Sequence, residues 1–118
     1  MKKKVGEISR FQPSGLNSFF QFENASFSEY IIKMREMIEK ARVDLTEENY
    51  EKIIDANSPY EWIPQDPSAK NSETGLYKCG ILFIHGLFDS PFIFYSISNE
   101  FMKKNYFIRA VLLPGHGT

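Results

Sequence analysis

A single cysteine, Cys79, stands in a chain of 118 residues. An intrachain disulfide framework is therefore excluded, and the chemistry fits a reducing compartment. Charge of one sign is lacking too: 14 Lys and Arg oppose 15 Asp and Glu, for a net charge of −1. That balance offers no global attraction to nucleic acid or to an anionic membrane, so any partner has to be recognised locally. No apolar run approaches the ~18 residues of a membrane span; the longest, 80–84 and 110–113, are strand-sized. The basic start Met1–Lys4 is followed by Glu7 and Arg10, which interrupt any signal-peptide core. A soluble, cytoplasmic protein is the expectation. Gly-x-Ser-x-Gly, the turn that presents a serine nucleophile between a strand and a helix, occurs at none of the 11 serines. No Lys-Ser or Lys-Thr follows Gly115 and Gly117, which excludes a phosphate-binding P-loop there.

What is present is the composition of a folded domain, with 42% hydrophobic, 15% aromatic and 25% charged residues. A chain of this size buries roughly two-thirds of its extended surface, enough for one core. Residues 1–25 read as an irregular arm, broken by Pro13 and Gly15, with Phe11, Phe19, Phe20 and Phe22 as apolar anchors. Residues 26–75 read as a helical extension and a proline-containing connector. Phe27, Tyr30, Ile31, Met34, Ile38 and Ala41 recur at three- and four-residue steps, the stripe of an amphipathic helix, and Ser26 with Glu29 makes a capping box at its start. A second helix is predicted from Thr46, with Tyr50, Ile53 and Ile54 as its buried face, to stop near Asn57 before Pro59. Pro59, Pro64 and Pro67 then set an extended connector carrying Trp62 into the polar stretch 68–75.

Residues 76–118 carry the clearest pattern. The uninterrupted run Ile81–Ile84 reads as a strand buried on both faces, hence one from a parallel sheet. The loop His85-Gly86-Leu87-Phe88-Asp89-Ser90 follows, and Pro91 sits where a first helical residue belongs, with Asp89 or Ser90 placed to cap. Phe94, Ile97, Ser98, Phe101 and Met102 keep helical spacing, Asn105 is the expected stop, and Phe107–Leu113 forms a second strand. Residues 80–113 thus make a βαβ unit whose crossover is expected to be right-handed. The fold class is α/β.

The stretch GILFIHGLFDSP at 80–91 and the stretch LLPGHGT at 112–118 together resemble the front of an α/β-hydrolase-fold enzyme. Among its members are carboxylesterases, monoacylglycerol lipases and serine aminopeptidase-like hydrolases. The helix-rich residues 29–65 resemble, less specifically, the N-terminal extensions of some bacterial members. The resemblance implies a partial α/β-hydrolase fold preceded by a helical extension. It also implies that the residue after the His-Gly pair, Leu87, gives its backbone N–H to the oxyanion hole. Such a preorganised donor stabilises the negative charge of a tetrahedral acyl-transfer intermediate by about 3 kcal/mol. His85, Gly86 and Phe88 complete the oxyanion loop in that reading, with Leu87 and Phe88 lining an acyl pocket. Gly115, His116 and Gly117 form a structural loop, His116 bonding the loop and not acting as a base.

The same resemblance implies a Ser-His-Asp or Ser-His-Glu mechanism through an acyl-enzyme, without metal or organic cofactor, on a small-molecule ester, lipid or peptide. The nucleophile elbow, acid and histidine are absent from the sequence, and a domain of this type runs to roughly 200 residues or more. The chain is therefore expected to be the N-terminal part of a serine hydrolase, inactive alone. An open edge on the strand 80–84 is expected to favour self-association. Cys79 is expected to be a small buried residue beside that strand. His85, His116 and Asp89 lack the spacing of a metal site. Two other classes fit the sequence: a subunit complemented by a second chain that brings the nucleophile, and a non-catalytic interaction module built on the helices of 26–57.

Overall fold

The computed structural model describes residues 23–117. Phe11, Phe19, Phe20 and Phe22, and with them nearly all of the expected arm, lie outside the described residues. Ser26 opens helix α1 (Phe27–Ala41) in an extended conformation. Its hydroxyl accepts the Glu29 N–H at 3.1 Å, and the Glu29 carboxylate accepts the Ser26 N–H at 2.7 Å, the reciprocal box expected from the sequence. Met34, Met37 and Ile38 form the buried face. Helix α2 (Tyr50–Asn57) is preceded by a turn that begins at Thr46. The Thr46 hydroxyl accepts the Asn49 N–H at 3.2 Å and the Thr46 carbonyl accepts the Tyr50 N–H at 2.9 Å. Ile54 is buried, but Tyr50 is exposed, so the expected buried face is narrower by that residue.

The connector contains an element that the sequence reading lacked. Tyr60–Trp62 is a strand, β1, entered through the buried Ser58 and Pro59. The stretch 68–75 is not extended either. Asp66 caps a short 3-10 turn at Pro67–Ala69, and Asn71 donates to Leu76 across a tight reversal at 2.8 Å, with Gly75 at φ +72°.

Strands β2 (Gly80–Ile84) and β3 (Phe107–Val111) run parallel, joined by a 3-10 turn at Pro91–Phe94 and helix α3 (Tyr95–Met102). The three-stranded sheet has the order β1-β3-β2, with β1 antiparallel to β3 and Tyr60 opposite Ala110. The described residues thus form an α/β fold of three α-helices and one mixed sheet. None of these helices is long and apolar enough to cross a membrane. Ser90 stands at the start of the crossover without capping it; its hydroxyl donates instead to the Ala56 carbonyl at 2.9 Å, tying the loop to α2. Asn105 ends the helical segment at φ +62°, as expected.

Register places Ile81, Phe83, Ile108, Ala110, Tyr60 and Trp62 on one sheet face, under α3. Phe83 stacks on Phe94 at 4.7 Å, and Tyr60 shares a 2.8 Å hydrogen bond with the fully buried Ser98. Ser98 is small enough to let α3 lie close, and its buried hydroxyl is satisfied. A second cluster joins Ile38, Ile54 and Leu112, so the two extension helices and the end of β3 share a core.

Strand β2 is not buried on both faces, contrary to the sequence reading: Leu82 and Ile84 are 57% and 58% exposed. The physical reason is position. β2 is the edge of the sheet, and on that face α1 reaches β3, where Phe27 lies against the Arg109 guanidinium, and leaves β2 open. Cys79, expected to be buried, is likewise exposed at the entrance to this edge strand.

Candidate functional site

Two loops leave the carboxyl ends of the parallel strands, the place where open α/β sheets bind ligands. After β2 come His85 and Gly86, then a turn closed by the Asp89 N–H donating to the Gly86 carbonyl at 3.2 Å. Leu87 and Phe88 occupy its corners, both with negative φ. Gly86 has no positive φ. Its lack of a side chain matters because a Cβ there would lie 3.2 Å from the Asp89 carboxylate. After β3, the loop Leu113–Gly117 turns at Gly115 (φ +81°) and Gly117 (φ +77°), conformations that favour glycine.

His85 joins the two loops. It is 4% exposed, and its Nε2 accepts the Leu113 N–H at 3.0 Å. That bond leaves the ring proton on Nδ1, which donates to the Gly86 carbonyl at 2.9 Å. Both ring nitrogens are therefore engaged in bracing backbone. The His116 ring meets the His85 ring edge to face at 4.9 Å, and His116 Nδ1 lies 3.2 Å from the Pro114 carbonyl.

The loop after β3 is also fixed from the extension. Buried Arg42 makes a two-point contact with Asp44, at 2.9 Å and 2.7 Å, and donates to the Gly117 carbonyl at 3.0 Å. A Cβ on Gly117 would meet Asn57 and Leu112 at 3.2–3.3 Å, so only glycine packs there without displacement. Sequence reasoning passed over Arg42 because the pairing spans a chain turn just past the end of α1, where no helical or strand periodicity marks it.

The backbone N–H of Leu87 has no hydrogen-bond partner among the described residues. The side chains of Leu87 and Phe88 are 73% and 97% exposed and form no pocket wall, so the expected acyl pocket is not built by them. An apolar cavity of about 450 Å³ lies elsewhere, beside β3, lined by Phe27, Tyr30, Met34, Val111, Leu113 and Pro114. Its helical members were visible in the sequence as a stripe, but a stripe by itself reads as core.

Tyr30 binds the backbone next to this cavity twice: its hydroxyl donates to the Leu112 carbonyl and accepts the Leu112 N–H, both at 2.9 Å. Burial pushes the Tyr30 hydroxyl above the ordinary tyrosine value of 10.0, partly offset by the bond to Leu112. A group whose folded pKa is raised stabilises the fold fully below its unfolded value and loses that contribution as pH rises through the folded value. Tyr60 and Tyr95 are raised by burial as well. The urea midpoint is therefore expected to stay level up to about pH 10 and to fall above it. Tyr30→Phe is expected to lower the midpoint at neutral pH and to soften the alkaline fall, as read by urea titrations across pH.

Comparisons of the chain with protein-family models, with curated proteins and with solved structures give no match.

Proposed function

We propose that the chain is the N-terminal part of an α/β-hydrolase-type serine hydrolase, in which the loop 85–88 supplies an oxyanion-hole donor for acyl transfer. The observation that carries this reading is the unpartnered Leu87 N–H at the carboxyl end of β2, in a turn braced by His85 to the loop after β3. An oxyanion donor has to be free in the resting protein and fixed in place, because its benefit comes from needing no reorganisation when charge develops. Parallel β2 and β3 with a helical crossover, and the His-Gly and Pro-Gly-His-Gly loops side by side, support the same reading. Within it, the substrate is a carboxylic ester, lipid or peptide, and the nucleophile comes from sequence other than these 118 residues.

The test has two parts. A fluorophosphonate probe is expected to leave the purified 118-residue chain unlabelled, since no serine sits in a nucleophile elbow. DNA downstream of the Thr118 codon, read in all frames, is expected to encode a Gly-x-Ser-x-Gly segment. The protein restored with that segment should hydrolyse p-nitrophenyl esters, and Leu87→Pro, which deletes the N–H, should lower kcat about 10²–10³-fold. No such segment in any frame, or unchanged kcat in Leu87→Pro, overturns the proposal.

A further inference from the structure

Two peptide units beside the candidate site are linked through one imidazole. In the peptide joining Leu112 to Leu113, the carbonyl accepts the Tyr30 hydroxyl at 2.9 Å and the N–H donates to His85 Nε2 at 3.0 Å. In the peptide joining Gly86 to Leu87, the carbonyl accepts His85 Nδ1–H at 2.9 Å and the Asp89 N–H at 3.2 Å. A trans peptide points its N–H opposite to its C=O. With the Gly86 carbonyl turned in to two donors, the Leu87 N–H is turned out, away from both.

Each group in this series donates to the next. The Tyr30 hydroxyl donates to the Leu112 carbonyl, the N–H of that peptide to His85, and His85 to the carbonyl whose peptide ends in the Leu87 N–H. Chemistry fixes the direction: an N–H can only donate to Nε2 and a carbonyl can only accept from Nδ1, so His85 is neutral with its proton on Nδ1. The start of the series is anchored as well. Leu112 N–H donates back to the Tyr30 hydroxyl at 2.9 Å, and burial, which pushes that hydroxyl above its ordinary pKa, keeps its proton on the oxygen. Hydrogen bonds aligned head to tail polarise one another, by roughly 10–30% per bond.

We propose that Tyr30, on helix α1 of the extension, is a positioning residue for the oxyanion-hole peptide. Acting through the Leu112–Leu113 peptide and His85, it orients the Leu87 N–H and strengthens it as a donor. The catalytic consequence rests on the hydrolase reading, whereas the relay itself rests on the hydrogen bonds alone. Every link joins two described residues. The extension thereby takes part in acyl transfer without touching substrate.

The relay is read first in the 118-residue chain by ¹⁵N NMR, where His85 is expected to show a protonated Nδ1 and a bare Nε2. A hydrogen bond to a peptide carbonyl deshields the nitrogen of the same peptide. Tyr30→Phe is therefore expected to move the Leu113 and Leu87 nitrogens upfield, Leu113 further. Difluorotyrosine in place of Tyr30, a more acidic donor of nearly the same shape, is expected to move both downfield. It decides should Tyr30→Phe fail to fold by circular dichroism, and lost packing alone would not give shifts of opposite sign. Tyr60→Phe, which removes another buried hydroxyl, bonded to Ser98 at 2.8 Å, is expected to leave both nitrogens in place.

In the protein restored with its nucleophile segment, Tyr30→Phe is expected to lower kcat for p-nitrophenyl esters about 2–5-fold with KM unchanged. That is the share of a donor worth about 10²–10³-fold that such polarisation carries. The inference alone is overturned by the other tautomer at His85, by a Leu87 nitrogen that neither Tyr30 substitution moves or that Tyr60→Phe moves as far, or by unchanged kcat in an active restored protein. A restored parent without esterase activity overturns the hydrolase reading and the catalytic role of Tyr30 with it, even with the NMR shifts as expected.

Discussion

A chain ending at Gly75 is expected to lose most of its helical circular-dichroism signal and its cooperative thermal transition. The helices α1 and α2 have 15 and 8 residues, at or below the ~12–15 at which isolated helices are marginal in water. Their hydrophobic face is completed from the other end of the sequence. Leu112 closes the cluster of Ile38 and Ile54, the Tyr30 hydroxyl holds both backbone groups of Leu112, and Arg42 donates to Gly117. The truncation removes all of these, along with β3, on which β1 pairs. It also leaves Arg42, whose side chain is 4% exposed in the intact fold, without one of its hydrogen-bond acceptors. The interaction-module reading requires the opposite behaviour, namely helices 26–57 that fold and bind without residues 76–118. A sigmoidal melt from the 1–75 chain, together with undiminished ellipticity at the helical minimum, would favour that module and count against a shared core.

How much of this was legible in the sequence depends on whether a signal is local. The Ser26–Glu29 box, the Asn105 stop and the strand–crossover–strand order of 80–111 each lie in one window of periodicity or capping chemistry, and the structure has them. β1 was missed because its three residues sit between prolines, and its strand character comes from pairing with β3 some fifty positions away. The burial of β2 was overread for a related reason. An apolar run says that both faces tolerate burial, but which face is covered depends on how far α1 extends across the sheet. For the candidate site, His85, Gly86 and Leu87 were readable from the motif. The brace from His85 to Leu113 and the clamp of Arg42 on Gly117 were not, since each joins residues far apart in the chain.

Two substitutions on one helix separate burial from residue type. Ile38→Ala is expected to cost about 3–4 kcal/mol, and Ile32→Ala no more than about 0.5 kcal/mol in either direction. Both replace isoleucine by alanine in α1, so the gain in intrinsic helix propensity is common to the pair. Their surroundings differ: Ile38 is 0% exposed and Ile32 56%. Ile38 lies among Ile54, Leu112 and Leu45, where the chain ends of two helices and of β3 converge. The cavity left by its truncation cannot close without moving one of those elements, so the lost transfer free energy is augmented by unfilled volume. Ile32 leaves no cavity, because water already meets it. The spacing argument had placed Ile38 on the apolar stripe and Ile32 off it, so the comparison also tests the stripe. Urea unfolding of the two variants is the measurement, and midpoints lowered equally would mean that α1 does not pack on the sheet by the face containing Ile38. Losses of the expected size at Ile38 alone would take a large share of the total, since domains are stable by only about 5–15 kcal/mol. A fold at the low end of that range would be left with only about 1–2 kcal/mol, and the loops after β2 and β3 would open more often together with the extension that holds them.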